Sequence, residues 1–342
     1  MFVCRRSFVA SALVAAAGFP VHAALAQVQE RPGSRPQPAW PAARPITLIV
    51  PFAAAGESDG IARLIGRRLG ERLHQSVVVD NVPGAGGVLG VSKAVMSPAD
   101  GYTLLLGFEG PVGLAQLLSP SVRYDAERDL VPVGLVSASP LVAVARPGLR
   151  ARNLSELIAL ARARPGTLSY GTPGTGSVQH LAMETLLERA RIRMLHVPYR
   201  SGAQILSEVM GGQVDVGMLA AASAAPLLQH KKLAAASAQR VDAVAAVMRF
   251  GEVPELQGVE LNTWTGLFAP AATPSAMVHR LSAELAEVLR MPEVRKQIED
   301  MGATPGEGSQ AAFAQFLKRE KASYAQIVKS AGLCCSDSIT RL

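Results

Sequence analysis

Apolar positions recur along this chain with two alternating periods. Short runs rich in Ile, Val and Leu occur at Ile46–Val50, Val77–Val79, Tyr102–Leu106, Val142–Ala145, Leu168–Tyr170, Leu195–Val197, Val214–Met218, Leu233–Ser237 and Trp264–Ala269. Each predicts a strand. Between them, apolar residues return every three or four positions, as helices require. Ser58 is placed to cap a helix whose face carries Ile61, Leu64, Ile65, Leu69 and Leu73, and Asn153 with Glu156 has capping-box spacing. Further helices are predicted after the turn Gly84–Gly90, near Ser177, over 203–210, over 275–290 and over 311–330. Strand and helix in repeated alternation predict an α/β fold with parallel sheets covered on both faces. The Phe313, Phe316, Leu317 and Ile327 stripe predicts a core-facing helix side.

The two ends fall outside this pattern. Arg5 and Arg6 precede an uncharged apolar stretch from Phe8 to Phe19, and Ala24-Leu25-Ala26 places small residues at a cleavage position. Residues 1–26 are therefore expected to be an export signal, routed by Sec or by a twin-arginine pathway. Residues 27–43, with Pro32, Pro36, Pro38 and Pro41, read as a solvated linker, and 334–342 as a tail. No apolar run reaches the ~20 residues of a membrane helix. Cys334 and Cys335 are the only cysteines beyond the signal. Adjacent cysteines close no useful loop, so a vicinal disulfide, an intermolecular bridge and free thiols all remain open.

The 342 residues are 49% hydrophobic, with a formal charge of +7 spread thinly. No basic block is interleaved with aromatics, so nucleic acid is not an expected partner. Several catalytic patterns break down on inspection. In Gly84-Ala85-Gly86-Gly87-Val88-Leu89-Gly90 the position of the third dinucleotide-site glycine holds Leu89, leaving a tight turn that caps a helix. Gly174-Thr175-Gly176-Ser177 is neither a nucleophile elbow nor a phosphate loop. His74, His180, His196, His230 and His279 have no histidine four residues away, so no zinc site is expected.

Two small-residue loops survive as candidate chemistry. Pro51–Asp59 and Thr172–His180 each run from a predicted strand into a predicted helix start. Small residues let a ligand approach the backbone, and unpaired amides with the helix dipole favour a carboxylate. Ser58, Thr175 and Ser177 add hydroxyls.

Placed in order, these residues resemble a known family: the extracytoplasmic solute receptors of tripartite tricarboxylate transporters, also called Bug receptors. The likeness runs from Arg44-Pro45-Ile46-Thr47-Leu48-Ile49-Val50-Pro51-Phe52 through Gly56, Ser58, Asp59, Ala62 and Arg63. It continues through Asn81, Pro83–Gly87 and Asp100–Leu104, then Gly176-Ser177, His180-Leu181 and His196–Tyr199, to Gly212–Val214, Trp264, Gly266-Leu267 and Ala269-Pro270. The resemblance implies a two-domain type II periplasmic binding protein fold, each domain a mostly parallel sheet flanked by helices, closing on ligand like a flytrap. Residues 44–143 with 266–333 would form domain one and 144–265 domain two, with Val142–Pro147 and Trp264–Pro270 crossing between them. It further implies a non-enzymatic periplasmic monomer without cofactor or metal. That monomer would bind a small carboxylate or amino-acid-like ligand for membrane transporter subunits.

Carried over by position, the ligand site would comprise Phe52, Ala53, Ala55, Gly56, Glu57, Ser58 and Asp59 on one side. Gly174, Thr175, Gly176, Ser177 and His180 would face them, with Tyr199, Ser201, Gly202, Leu219 and Ala220 at the edge. Three departures stand out. Ala53-Ala54-Ala55-Gly56 replaces the family's Pro-Pro-Gly-Gly, Glu57 adds a carboxylate, and Gly110–Ala115 lacks the usual Asn-Pro. Glu57 either faces solvent or selects a ligand bearing an amino group.

Structural roles compete for several of these positions. Asp59 can cap its own helix, His180 can be a core histidine, Tyr199 can pack at the domain boundary, and Trp264 can be a hinge or core residue. Two other functions compete as well: a ligand sensor signalling to a membrane kinase, and a periplasmic serine hydrolase using Ser177 and His180.

Overall fold

The computed structural model describes residues 40–54, 57–151, 153–199, 201–224, 234–237, 253–257 and 261–330, apart from the side chains of Glu57, Glu255, Ser330 and residues 234–237. The expected export signal at 1–26, most of the linker, Ala55, Gly56, and the tail with Cys334 and Cys335 lie outside the described residues. The last linker residues dock on the fold. The Trp40 indole N–H donates to Gly101 O at 3.1 Å, and Ala43 N–H to the Tyr102 hydroxyl at 3.2 Å.

A mixed sheet organises the described chain. Its strands are β1 (Ile46–Val50), β2 (Val77–Asn81), β3 (Thr103–Phe108), β4 (Leu130–Ala145), β5 (Ser169–Thr172), β6 (Leu195–Pro198), β7 (Val216–Ala220), β8 (Ala234–Ser237), β9 (Asn262–Pro270) and β10 (Thr304–Pro305). The order is β2-β1-β3-β9-β4-β7-β5-β6, with β8 and β10 also pairing with β4. Two parallel groups, β2-β1-β3 and β7-β5-β6, hold the apolar runs the pattern predicts; β1, β3 and β7 are buried, whereas the edge strands β2 and β6 are partly exposed. Between them β9 and β4 run antiparallel to their neighbours. The sheets are thus parallel only at the two ends, because the connecting strands return in the opposite sense.

Strand β4 departs most from the expected pattern. A strand was expected only over Val142–Ala145, whereas the chain is extended for 16 residues from Leu130. Pro132, Gly134 and Pro140 break the β signal, and the register with β9 shifts between Pro132 and Gly134 and between Leu135 and Ser137. Such irregularities bend a strand, letting one strand serve two sheet regions. Its first part pairs with β9 and its last five residues with β7.

The helices are α1 (Glu57–Leu73), α2 (Val88–Val95), α3 (Ala115–Leu118), α4 (Ala126–Asp129), α5 (Leu154–Ala163), α6 (Val178–Ala190), α7 (Gly202–Met210), α8 (Ser275–Arg290), α9 (Pro292–Asp300) and α10 (Gln310–Ser330). Ile61, Ile65, Leu69 and Leu73 of α1 are buried as their spacing predicts. Ser58 is not the cap: α1 already begins at Glu57, so Ser58 is its second residue. Asn153 does cap α5, accepting from Glu156 N–H at 2.8 Å.

One apolar cluster gathers around β1, β3, α1 and α8, and another around β5, β7, α5 and α6. Helix α10 joins both sides. Phe313 packs with Trp264 and Phe268, while Tyr324, Ile327 and Val328 join the core of α5 and α6. A division that gives 266–333 wholly to one side therefore leaves the last turns of α10 packed on the other.

Candidate functional site

The two loops singled out in the sequence meet at one cavity of about 500 Å³. Phe52 and Ser58 line it from the first loop, and Gly174, Thr175, Gly176 and Ser177 from the second. Gly202, Leu219 and Ala220 line its edge. First-turn residues of four helices reach it: Ser58 of α1, Val88 of α2, Gln179 of α6 and Gly202 of α7. Helix starts carry partial positive charge, so they favour an anion without a basic side chain.

Local hydrogen bonds set the shape of each loop. After β1, the Asn81 amide donates to Phe52 O at 3.1 Å. The Phe52 ring meets Phe108 edge to face at 5.0 Å. After β5, Gly174 and Gly176 take φ of +133° and +82°, conformations that cost other residues energy. Ser177 caps α6: its Oγ accepts from His180 N–H at 3.2 Å and donates to Gly174 O at 2.8 Å.

Two amides expected to be open to ligand are engaged inside the loop. Ser177 N–H donates to Gly174 O at 3.2 Å, and Gly176 N–H to His180 Nδ1 at 3.4 Å. A tight turn satisfies its own donors where it can.

His180 does not line the cavity. It is buried behind the loop, its ring 4.3 Å from that of His196, whose Nε2 lies 2.7 Å from Thr172 Oγ1. Burial lowers both imidazoles to about 4, and for His196 the neighbouring His180 adds to the effect. Tyr170 donates to Glu184 in the same cluster, and burial, then Glu184, raises its phenol. The Ser–His pairing of a hydrolase is not made: the Ser177 hydroxyl bonds the main chain of His180, and the ring is turned to Gly176 and His196.

The remaining expected residues have structural partners. Asp59 is buried and pairs with Arg63 Nε at 2.8 Å. Ser201 caps α7 by accepting from Gln204 N–H at 3.2 Å, and Tyr199 packs on the cluster of Val142, Ile205 and Val209. Ala53 is exposed and does not line the cavity, and Ala55, Gly56 and the Glu57 side chain lie outside the described residues.

Other lining residues were not part of the expected ligand site. Ala85 and Gly86 belong to the Gly84–Gly90 turn, whose glycines were a visible signal but suggested only a cap. Glu109 and Gly110 begin a wide helical turn, Glu109–Leu114, that hydrophobic periodicity does not reveal. Trp264, buried at 1%, forms a wall between Thr263 and Thr265. Its main-chain N–H donates to Glu109 Oε2 at 3.2 Å and its indole to the Tyr324 hydroxyl at 3.1 Å.

Comparisons with known proteins agree on one family. The model of the tripartite tricarboxylate transporter family receptors matches residues 61–333. BugT of Bordetella pertussis is 33% identical over 299 residues, 85% of this chain and 90% of its own. An R. palustris protein solved with adipate superposes with a TM-score of 0.79 at 30% identity, covering 86% of this chain and 99% of its own. MatC from Rhodopseudomonas palustris, with bound malate, gives a TM-score of 0.75 at 30% identity, over 83% and 99% of the two chains. The α/β fold is that of the periplasmic binding proteins of this group, and the chain belongs to the tripartite tricarboxylate transporter receptor family.

Proposed function

We propose that this chain is an exported periplasmic receptor that captures a small organic anion in the 500 Å³ cavity and delivers it to the membrane subunits of a tripartite tricarboxylate-type transporter. The observation that carries this reading is the convergence of four helix starts from both ends of the sheet on one cavity, with no basic side chain among its described lining residues. That is how backbone dipoles hold a carboxylate. Two R. palustris relatives, solved with adipate and with malate, support a small carboxylate as ligand.

On this reading residues 44–143 with 266–333 and residues 144–265 act as two lobes that close around ligand, and the paired strands β4 and β9 are the hinge between them. The receptor works as a monomer and performs no chemistry on its ligand.

A thermal-shift screen over mono-, di- and tricarboxylates and amino acids tests the binding step. A binder at 100 Kd should add about 2.7 kcal/mol of stability. No stabilisation by any member would sink the reading. Small-angle scattering with a saturating hit tests closure, which an unchanged radius of gyration would rule out. Uptake of that hit into proteoliposomes holding the membrane subunits should require the receptor.

A further inference from the structure

Glu109 stands apart in the cavity. Among the described lining residues it is the sole charged side chain. The other polar groups are hydroxyls such as Ser58, Thr175 and Ser177, and the Gln179 amide. Its position is built rather than incidental. Glu109 opens the wide helical turn after β3, and its Oε2 accepts the main-chain N–H of Trp264 at 3.2 Å, which ties the carboxylate to the cavity wall. Phe52, Phe108 and Trp264 line the same cavity.

These features place two kinds of charge in one cavity. Helix starts make it attractive to an anion. A carboxylate in the same cavity attracts an ammonium group through opposite charge. The same carboxylate repels a second ligand carboxylate, and a closed, dewatered cavity strengthens that repulsion. Discrimination between ligands of equal length then comes from the repulsive contact as much as from the attractive one.

We propose that Glu109 is a specificity residue that makes this receptor select zwitterions, carboxylates that also carry an amino group, over plain dicarboxylates. The inference rests on the carboxylate-receptor reading above and names its ligand class. It concerns a residue of the β3 side and is independent of Glu57.

Calorimetric titration of matched pairs tests it: succinate and aspartate, glutarate and glutamate, adipate and 2-aminoadipate, butyrate and 4-aminobutyrate. The wild type should prefer the amino member of at least one pair by tenfold or more. Glu109→Gln, which keeps an acceptor for Trp264 N–H, should erase that preference while leaving the melting temperature within a few degrees. A wild type that binds a plain dicarboxylate as tightly as its amino partner overturns the inference alone, and this needs no variant to fold. Preference for an amino member that survives Glu109→Gln overturns it too. Failure of every compound to bind either protein overturns the carboxylate reading itself, and this inference with it.

Discussion

The imidazole rings of His180 and His196 lie 4.3 Å apart, centroid to centroid, beneath the loop that lines the cavity. Thr172, Tyr170 and Glu184 complete their surroundings: Thr172 bonds His196, Tyr170 stacks on it at 5.0 Å, and Glu184 Oε1 lies 3.9 Å from His180 Nε2. Two neutral imidazoles can share this space, whereas two cations would repel one another in a dry setting. Gly176 N–H donates to one of them, so their charge state bears directly on the loop.

Stability should therefore depend on pH in a defined window. Both folded-state values are near 4, below the ordinary 6.5. Between those limits the unfolded chain binds more protons, so stability rises with pH through the window and is lost as pH falls through it. Lowering of one buried imidazole from its ordinary value to about 4 corresponds to stability on the order of 3 kcal/mol. Urea midpoints at pH 7, 5.5 and 4.5 should decrease in order, and His196→Gln should flatten the trend. A flat wild-type profile would contradict this account.

Asp215 should govern a lower range of pH. Burial disfavours its charge, but Arg146 Nε at 2.7 Å and the Ser169 N–H and hydroxyl at 2.9 and 3.1 Å outweigh this and hold it below the usual carboxylate range. Its stabilisation is present above the unfolded value near 4 and disappears as pH falls through the folded one. Asp215→Asn should cost on the order of 1–3 kcal/mol at pH 7 and remove the part of the acid transition below pH 4. Denaturation curves compared at pH 7 and pH 3 measure both effects.

Ser177→Ala should act through the loop more than through a direct ligand contact. The hydroxyl already bonds Gly174 O and His180 N–H, so its loss uncaps α6 at a cost of about 1 kcal/mol. Ligand affinity should fall several-fold because the loop relaxes. Unchanged stability together with a hundredfold loss of affinity would instead make the hydroxyl a direct ligand contact.

Trp264 should report ligand binding optically. The chain has two tryptophans, and only Trp264 lines the cavity, whereas Trp40 packs at Gly101. Intrinsic fluorescence should shift on titration with a hit from the screen. The signal should persist in Trp40→Phe and vanish in Trp264→Phe. A ligand signal that follows Trp40 would place binding elsewhere.

Much of this architecture is written in local patterns. The runs Ile46–Val50 and Leu104–Leu106 could be read as buried parallel strands because both their faces are apolar. The face Ile61, Ile65, Leu69 and Leu73 could be read as a helix because its period is 3.6, and Asn153 as a cap because capping depends on neighbours three residues away. The two small-residue loops were visible for the same reason, as was the ordered set of family motifs. Long-range assembly decided the rest. Strand β4 is continuous although Pro132, Gly134 and Pro140 interrupt its pattern, because β9 and β7 supply the partners that local preference cannot. The place of His180 behind its loop rather than in the cavity follows from its contact with His196, sixteen residues away on a neighbouring strand. The inclusion of Glu109 and Trp264 in one wall required a hydrogen bond spanning 155 residues. A sequence records which groups a segment carries and how it prefers to bend, whereas which groups share a cavity depends on packing between segments far apart in the chain.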